Sequence, residues 1–300
     1  MSVRISWVAL FVMVAPAFGQ EQFPSELVRF DPTSVKTVFQ GAPQQWDRRI
    51  RERGWILRDG DVWKLWYTGY DATPTGRRQL GYATSKDGIR WERHRLNPLH
   101  PDTWIEDMQV VRDGERYVMV AEGVKDRAHW FTSTDGIVWK RMGSIDIRKT
   151  NGERIADGAY GTPTLFRHEG KWYLFYERGD RGILLATSKD LQTWQHVQDE
   201  AVIVPGPGAY DRDQVAMNQV IHYQGRFYAY YHGAALTGPQ ANLWSSAIAV
   251  SDDLIHWKKY AQNPLMPVEK NVSSGIVIPD GKRFLFYTMH PEIKRYEPLK

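Results

Sequence analysis

Apolar and aromatic positions along this chain fall in short runs, and each run opens behind the same polar punctuation. Asp59-Gly60 precedes Val62-Trp63-Lys64-Leu65-Trp66-Tyr67, and Asp113-Gly114 precedes Tyr117-Val118-Met119-Val120. Glu169-Gly170, Gln224-Gly225 and Asp280-Gly281 stand in the same way before Trp172, Phe227 and Phe284. A polar residue and a glycine between two apolar runs mark a strand–turn–strand hairpin. The five glycines are 54, 56, 55 and 56 residues apart. A second pattern lies between them: Thr84-Ser85-Lys86-Asp87-Gly88-Ile89-Arg90-Trp91, and its counterparts ending at Trp139, Trp194 and Trp257. There Ser and Asp are expected to cap a second turn through side-chain bonds to the backbone, with Trp opening the strand that follows.

Two hairpins per repeat make four antiparallel strands, which is one propeller blade. Five repeats of about 55 residues account for nearly the whole chain. The prediction is an all-β, five-bladed β-propeller of four-stranded antiparallel blades, forming a single domain over residues 20–300. The fifth repeat lacks the second motif. Leu27–Phe30 or Val35–Phe39 is therefore expected to supply its outer strand and close the ring, protecting the exposed sheet edges.

Strand direction then sorts the motifs. Both turn families fall at one end of the ring. The first residues of the innermost strands and the last residues of the second strands gather at the other end, where functional loops belong. The fourfold Ser-x-Asp motif is thus read as structural, and residues that depart from the repeat as functional.

Arg4, the apolar run Ile5–Ala15 and the small residues Ala17 and Gly19 read as a signal peptide over residues 1–19, the alternative being an uncleaved anchor. Export with no cysteine suits a bacterial periplasm or exterior. The mature protein is expected to be secreted or periplasmic and to keep no membrane segment. Hydrophobic residues at 42% and charged residues at 25% exclude a disordered chain. A net charge of +4 without a basic run argues against a nucleic-acid partner. The 13 Trp, 15 Tyr and 11 Phe leave rings for stacking on a ligand.

At the functional end, Asp107, Asn218 and Ser274 each precede their hairpin glycine by seven residues, and Glu177 and His232 follow theirs by seven. These side chains are expected to face one axial opening. Glu106 precedes Asp107 and, by strand alternation, should face away. Asp47, Asp157, Asp211 and Asp213 lead into innermost strands, and Arg178 follows Glu177. Trp46, Trp104, Tyr160 and Tyr210 are candidate sugar platforms. Paired carboxyls with aromatic walls suit glycoside chemistry, in which an acid protonates the leaving oxygen and a carboxylate activates water or attacks. Asp107, Glu177 and Asp47 are the candidate catalytic residues and the others are candidate substrate contacts. No cofactor is expected. A central metal ion is left open, since no ligand spacing argues for one.

The hairpin glycines and the Ala83-Thr84-Ser85-Lys86-Asp87-Gly88-x-x-Trp91 type of repeat resemble the five-bladed β-propeller glycosidases, the superfamily of glycoside hydrolase families 32, 43, 62, 68, 117 and 130. That resemblance implies an enzyme acting on an oligo- or polysaccharide. Ile105-Glu106-Asp107 before Gly114, and Tyr231-His232-Gly233, resemble elements of family 130. The likeness implies a proton-donating Asp107 and a substrate or phosphate contact at His232, although Met108 stands where that family has Pro. The family 43 pattern would instead imply Asp47 as base, Asp107 as the orienting carboxylate and Glu177 as acid. A glycosidase, a family 130-like phosphorylase and a noncatalytic carbohydrate-binding propeller are the readings these residues leave open.

Overall fold

A computed structural model describes residues 23–156 and 160–299. The expected leader over residues 1–19 and the candidate Asp157 lie outside the described residues. Five small sheets follow one another around an axis. Blade 1 comprises Arg49–Asp59, Val62–Tyr70, Gln79–Ser85 and Trp91–Arg93 from the axis outward. Blade 2 comprises Glu106–Asp113, Arg116–Glu122, His129–Ser133 and Lys140–Ser144. Blade 3 uses Gly161–His168, Lys171–Glu177, Ile183–Ser188 and Thr193–His196, and blade 4 uses Gln214–Tyr223, Arg226–Ala234, Ser245–Ser251 and Lys258–Lys259. Blade 5 has Gly275–Asp280, Arg283–Thr288 and Ile293–Tyr296, and its outer strand is Lys36–Phe39 from the start of the chain. That strand pairs antiparallel with Ile293–Tyr296, so the second of the two expected segments closes the ring.

Blade 3 departs from the four-stranded expectation. The connection out of blade 2 lays Asp146–Arg148 parallel along Thr193–His196, with Ile147 buried beneath. The added strand covers an edge that would otherwise present unpaired backbone groups.

Apolar clusters fill the wedges between neighbouring blades. One joins blades 5, 1 and 2 through Leu65, Trp66, Tyr67, Met108 and Tyr287, and the next joins blades 2 and 3 through Val118, Trp130, Leu174 and Tyr176. The Ser-x-Asp turns are stapled into these wedges. Ser85 Oγ accepts from Gly88 N at 2.9 Å, and Asp87 Oδ1 accepts from Ile89 N and Arg90 N at 2.9 and 2.8 Å. Trp66 Nε1 donates to the Gly136 carbonyl at 2.8 Å, tying blade 1 to the equivalent turn of blade 2. Gly136 has φ +78°, and a Cβ there would meet Trp66 at 2.8 Å, so glycine answers both the turn and the close approach.

The innermost strands carry the feature that shapes the site. Pairing registers slip between Arg51 and Trp55, Glu106 and Gln109, Gly161 and Thr164, and Met217 and Gln219. Glu52, Asp107, Thr162 and Ser274 hold left-handed φ of 52°, 47°, 45° and 54° at corresponding places in four blades. Bulges of this kind bend a strand and re-aim its side chains, and non-glycine residues held left-handed concentrate at functional sites.

Candidate active site

The bulges and the ends of the second strands enclose a cavity of about 300 Å³ at one end of the axis. Seven carboxyl groups face it: Glu52, Glu106, Asp107, Glu122, Asp126, Glu177 and Asp180. Arg51, His232, His290, Thr162, Ser273, Ser274 and Trp244 complete the wall. Most acids come from blades 2 and 3, while the two histidines, the serines and Trp244 come from blades 4 and 5.

Beneath this wall lies Arg53, which is 0% exposed and spans the axis. Its Nη1 donates to Thr164 Oγ1 at 2.6 Å and to the carbonyls of Met217 and Asn218, each at 3.0 Å. Its Nη2 donates to the carbonyls of Asp107 and Pro163 at 2.7 Å. One guanidinium from blade 1 therefore ties the innermost strands of blades 2, 3 and 4.

Asp107 sits on this anchor, its Oδ1 accepting from Arg53 N at 3.0 Å. Burial, reinforced by the charge on Glu52, pushes its carboxyl up to about 8. Burial and the neighbouring carboxyls thus favour the protonated form of Asp107 against the pull of the Arg53 guanidinium, whose Nε lies 3.9 Å from Oδ1. Glu177 is pushed up to about 7 by burial and by the charge on Asp180, whose own carboxyl burial raises to about 6. Glu122 is raised well above the carboxylate range by burial and by Asp107.

Local sequence explains this crowding. Glu106 and Glu122 are cross-strand partners, and Glu177 stands opposite Gly161. A Cβ on Gly161 would lie 1.5 Å from Glu177 Oε1, so glycine leaves the space that the Glu177 carboxyl occupies. Thr162 N and Asp180 N donate to Glu122 and Glu177 and fix their orientation. Like charges placed face to face weaken a sheet, and a cavity that concentrates such perturbed carboxyls marks a candidate functional site.

Alternation had Glu106 facing away, but the bulge at Asp107 interrupts the alternation and both residues line the cavity. Glu106 is held by Arg51 at 3.1 Å and by Trp104 Nε1 at 3.0 Å, and burial raises its carboxyl. Glu177, His232 and Ser274 also reach the cavity. Asn218 lies just below, fully buried, its Oδ1 2.7 Å from His232 Nδ1.

Several candidates lie elsewhere. Asp47 is buried behind blade 1, accepting from Tyr67 Oη at 2.9 Å and Arg93 Nε at 2.8 Å. Asp211 is its counterpart in blade 4, bonded to Lys259 Nζ at 2.6 Å and Tyr231 Oη at 3.3 Å. Trp46 stacks on Tyr67, and Tyr210 bonds Tyr231 at 2.8 Å, so the aromatic-Asp pairs brace the blade entries. Asp213 pairs with Arg212 and caps Leu236 N. Arg178 donates to the Ala156 carbonyl and lies over Tyr160, which is buried edge-to-face on Tyr176. Trp104 stands behind Glu106, with Arg78 over its ring.

The cavity also contains residues not among the sequence candidates, notably Glu52, Glu122, Asp126, Asp180, Trp244 and His290. A signal existed for Glu122. It follows buried Ala121 as Glu177 follows Tyr176 and His232 follows Tyr231, so aligning on that buried position instead of on the glycine brings all three together. Glu106, Glu122 and Asp126 bring carboxylate oxygens within 4.8 Å of one another, but an acidic cluster alone does not make a metal site.

No family model matches the chain. Two uncharacterized proteins from Mycobacterium tuberculosis strains are 29% identical over 137 residues, 41% of this chain and 44% of theirs, so the match spans less than half of those relatives. A 1,2-β-oligomannan phosphorylase from Thermoanaerobacter is 24% identical over 64% of this chain and 67% of its own. Among solved structures, a candidate glycoside hydrolase from Parabacteroides distasonis superposes with a TM-score of 0.74 at 17% identity, covering 91% of this chain and 97% of its own. A structure from glycoside hydrolase family 130, reported with hydrolases that target β-1,2-mannosidic linkages in Candida mannan, gives 0.66 at 16% identity over 90% and 94% of the two chains. The β-1,2-mannobiose phosphorylase of Listeria innocua gives 0.65 at 15% identity over 87% and 95%. The chain is built on the five-bladed propeller that these glycoside hydrolases and phosphorylases share.

Proposed function

We propose that the protein is a glycoside hydrolase whose acid is Asp107 and whose base is Glu177. The observation that carries this reading is a buried carboxyl, Asp107, at the head of a cavity walled by further carboxyls, a setting that favours its protonated form. An acid that holds its proton near pH 7 can pass it to the departing glycosidic oxygen. Glu177, ionised in part at the same pH, takes a proton from the water that adds to the anomeric carbon. Glu122, whose proton burial favours, lines the same cavity and can share a hydrogen bond with a sugar hydroxyl. Asp47 has no place in this scheme, because its carboxylate is committed to Arg93 and Tyr67.

The phosphorylases among the relatives favour a second reading, in which phosphate replaces water. The cavity argues against it. Arg51 is engaged by Glu52 and Glu106, and the donors Arg53 uses are spent on carbonyls and Thr164. A phosphate would meet seven carboxyl groups with little free positive charge to receive it. The leader-like residues 1–19 support action on glycans outside the cytoplasm.

Reducing-sugar release from a panel that includes β-1,2-mannan and arabinan, with and without inorganic phosphate, tests both readings. Hydrolysis without phosphate is expected, with a loss of about 10²- to 10⁴-fold in Asp107→Asn. Equal rates in wild type and Asp107→Asn would remove Asp107 from the chemistry, and turnover only with phosphate would establish the phosphorylase.

A further inference from the structure

We propose that Trp244 is the stacking wall for the sugar ring at the reacting position, and that this position accepts an uncharged sugar and rejects a uronate. The inference rests on the hydrolase reading for the ring's place beside Asp107. It adds the surface that receives the ring and the charge class of the ring received.

None of the four aromatic side chains expected to act as platforms is among the residues that face the cavity, whereas Trp244 does face it. Trp244 ends the connection out of the second strand of blade 4 and stands immediately before Ser245–Ser251. Its position is fixed on both sides. Trp244 N donates to Asn271 Oδ1 at 2.8 Å, and the adjacent Ser245 bridges in parallel to Val272. The indole packs edge-to-face on His232, with centroids 4.9 Å apart and planes at 80°. His232 is itself bonded to buried Asn218, whose carbonyl is held by Arg53.

The indole and Asp107 are thus mounted on the same buried guanidinium, one on the aromatic side of the cavity and one on the acidic side. A half-buried indole beside a cavity offers a flat apolar surface, and sugar rings present a C–H face to such surfaces while their hydroxyls point to polar groups. Ser273 and Ser274 flank this side and can serve the hydroxyls. The opposite wall fixes the charge class. A uronate carboxylate placed here would add a further acid to a cavity that already holds seven carboxyl groups, whose burial and crowding raise Asp107 and Glu177, and Arg51 on its wall is already paired with Glu52 and Glu106. The hydroxyls of a neutral ring can exchange hydrogen bonds with the same acids in either protonation state.

The test uses the full chain labelled with 5-fluorotryptophan, with Trp244→Phe assigning the resonance of residue 244. Methyl mannosides, methyl arabinosides, β-1,2-mannobiose, glucuronate and galacturonate are titrated into wild type and Asp107→Asn. Neutral sugars are expected to move the Trp244 resonance, with binding weakened about tenfold in Trp244→Ala and partly restored in Trp244→Phe. In turnover, KM should rise by a similar factor in Trp244→Ala with a smaller change in kcat. Equal affinity in Trp244→Ala, preferential binding of the uronates, or no response of the Trp244 resonance to any sugar would overturn the proposal. Sugar binding at Trp244 without turnover in the wild type would instead overturn the hydrolase reading and leave the stacking wall standing.

Discussion

Arg53 holds Asp107 twice: its guanidinium donates to the Asp107 carbonyl at 2.7 Å and its backbone N–H to the Asp107 carboxyl at 3.0 Å. The same guanidinium supplies donors to Pro163, Met217 and Asn218 at the buried centre of the ring. Arg53→Met would leave these buried carbonyls without partners, at a cost of about 3–5 kcal/mol. A Tm lower by roughly 10 °C is expected in thermal denaturation. A Tm within a degree or two of wild type would show that the axis does not depend on this residue.

The charge on Glu52 is second only to burial in raising Asp107. Removing it in Glu52→Gln lowers the carboxyl toward its ordinary value. Because the acid works only while protonated, the alkaline limb of kcat/KM against pH should move to lower pH than in the wild type. A limb that stays in place or moves upward would contradict this assignment.

Glu177 should control the opposite limb. With its carboxyl near 7, a base at this position loses activity as pH falls through that value. Glu177→Gln is expected to lose about 10²- to 10⁴-fold in kcat and to abolish the acidic limb. Persistence of that limb in the variant would assign the base to another carboxyl.

Stability should follow the same groups. Asp107, Glu122 and Glu177 hold protons in the folded state that the unfolded chain releases above about pH 4. Their contribution is complete below that pH and is lost as pH rises through 7 and 8. His232 and His129, pushed down to about 3 and about 4 by burial, act in the opposite sense, but only below the ordinary histidine value of about 6.5. The Tm is expected to fall between pH 6.5 and 8.5, with a shallower fall in Asp107→Asn. A Tm that holds or rises over that interval would contradict the burial of these acids.

The repeat was legible because it is local. Each Asp-Gly turn and each Ser-x-Asp cap is specified within eight residues, and the structure realises the caps with the same bonds in four blades. Ring closure followed from counting motifs, since the fifth repeat had to borrow a strand. The site was less legible, because bulges change which face a side chain takes. Glu106 was assigned by alternation to the wrong side, and Glu52 and Thr162 stand eight residues before their glycines, not seven, so a fixed offset missed them. Asp47 and Asp211 lead into innermost strands, where acids of the site are expected. Only contacts distant in sequence, with Arg93 and Lys259, show them to be blade braces.

Blade 5 is assembled from opposite ends of the sequence, with Lys36–Phe39 laid against Ile293–Tyr296. The circle is shut only where residues 36–39 and 293–296 meet, so its closure rests on a contact that no single repeat contains. The cavity takes its lining from all five blades and so depends on a pairing between segments far apart in sequence. A chain shortened by its final strand would keep most of its sheets and lose the geometry that gives them a purpose.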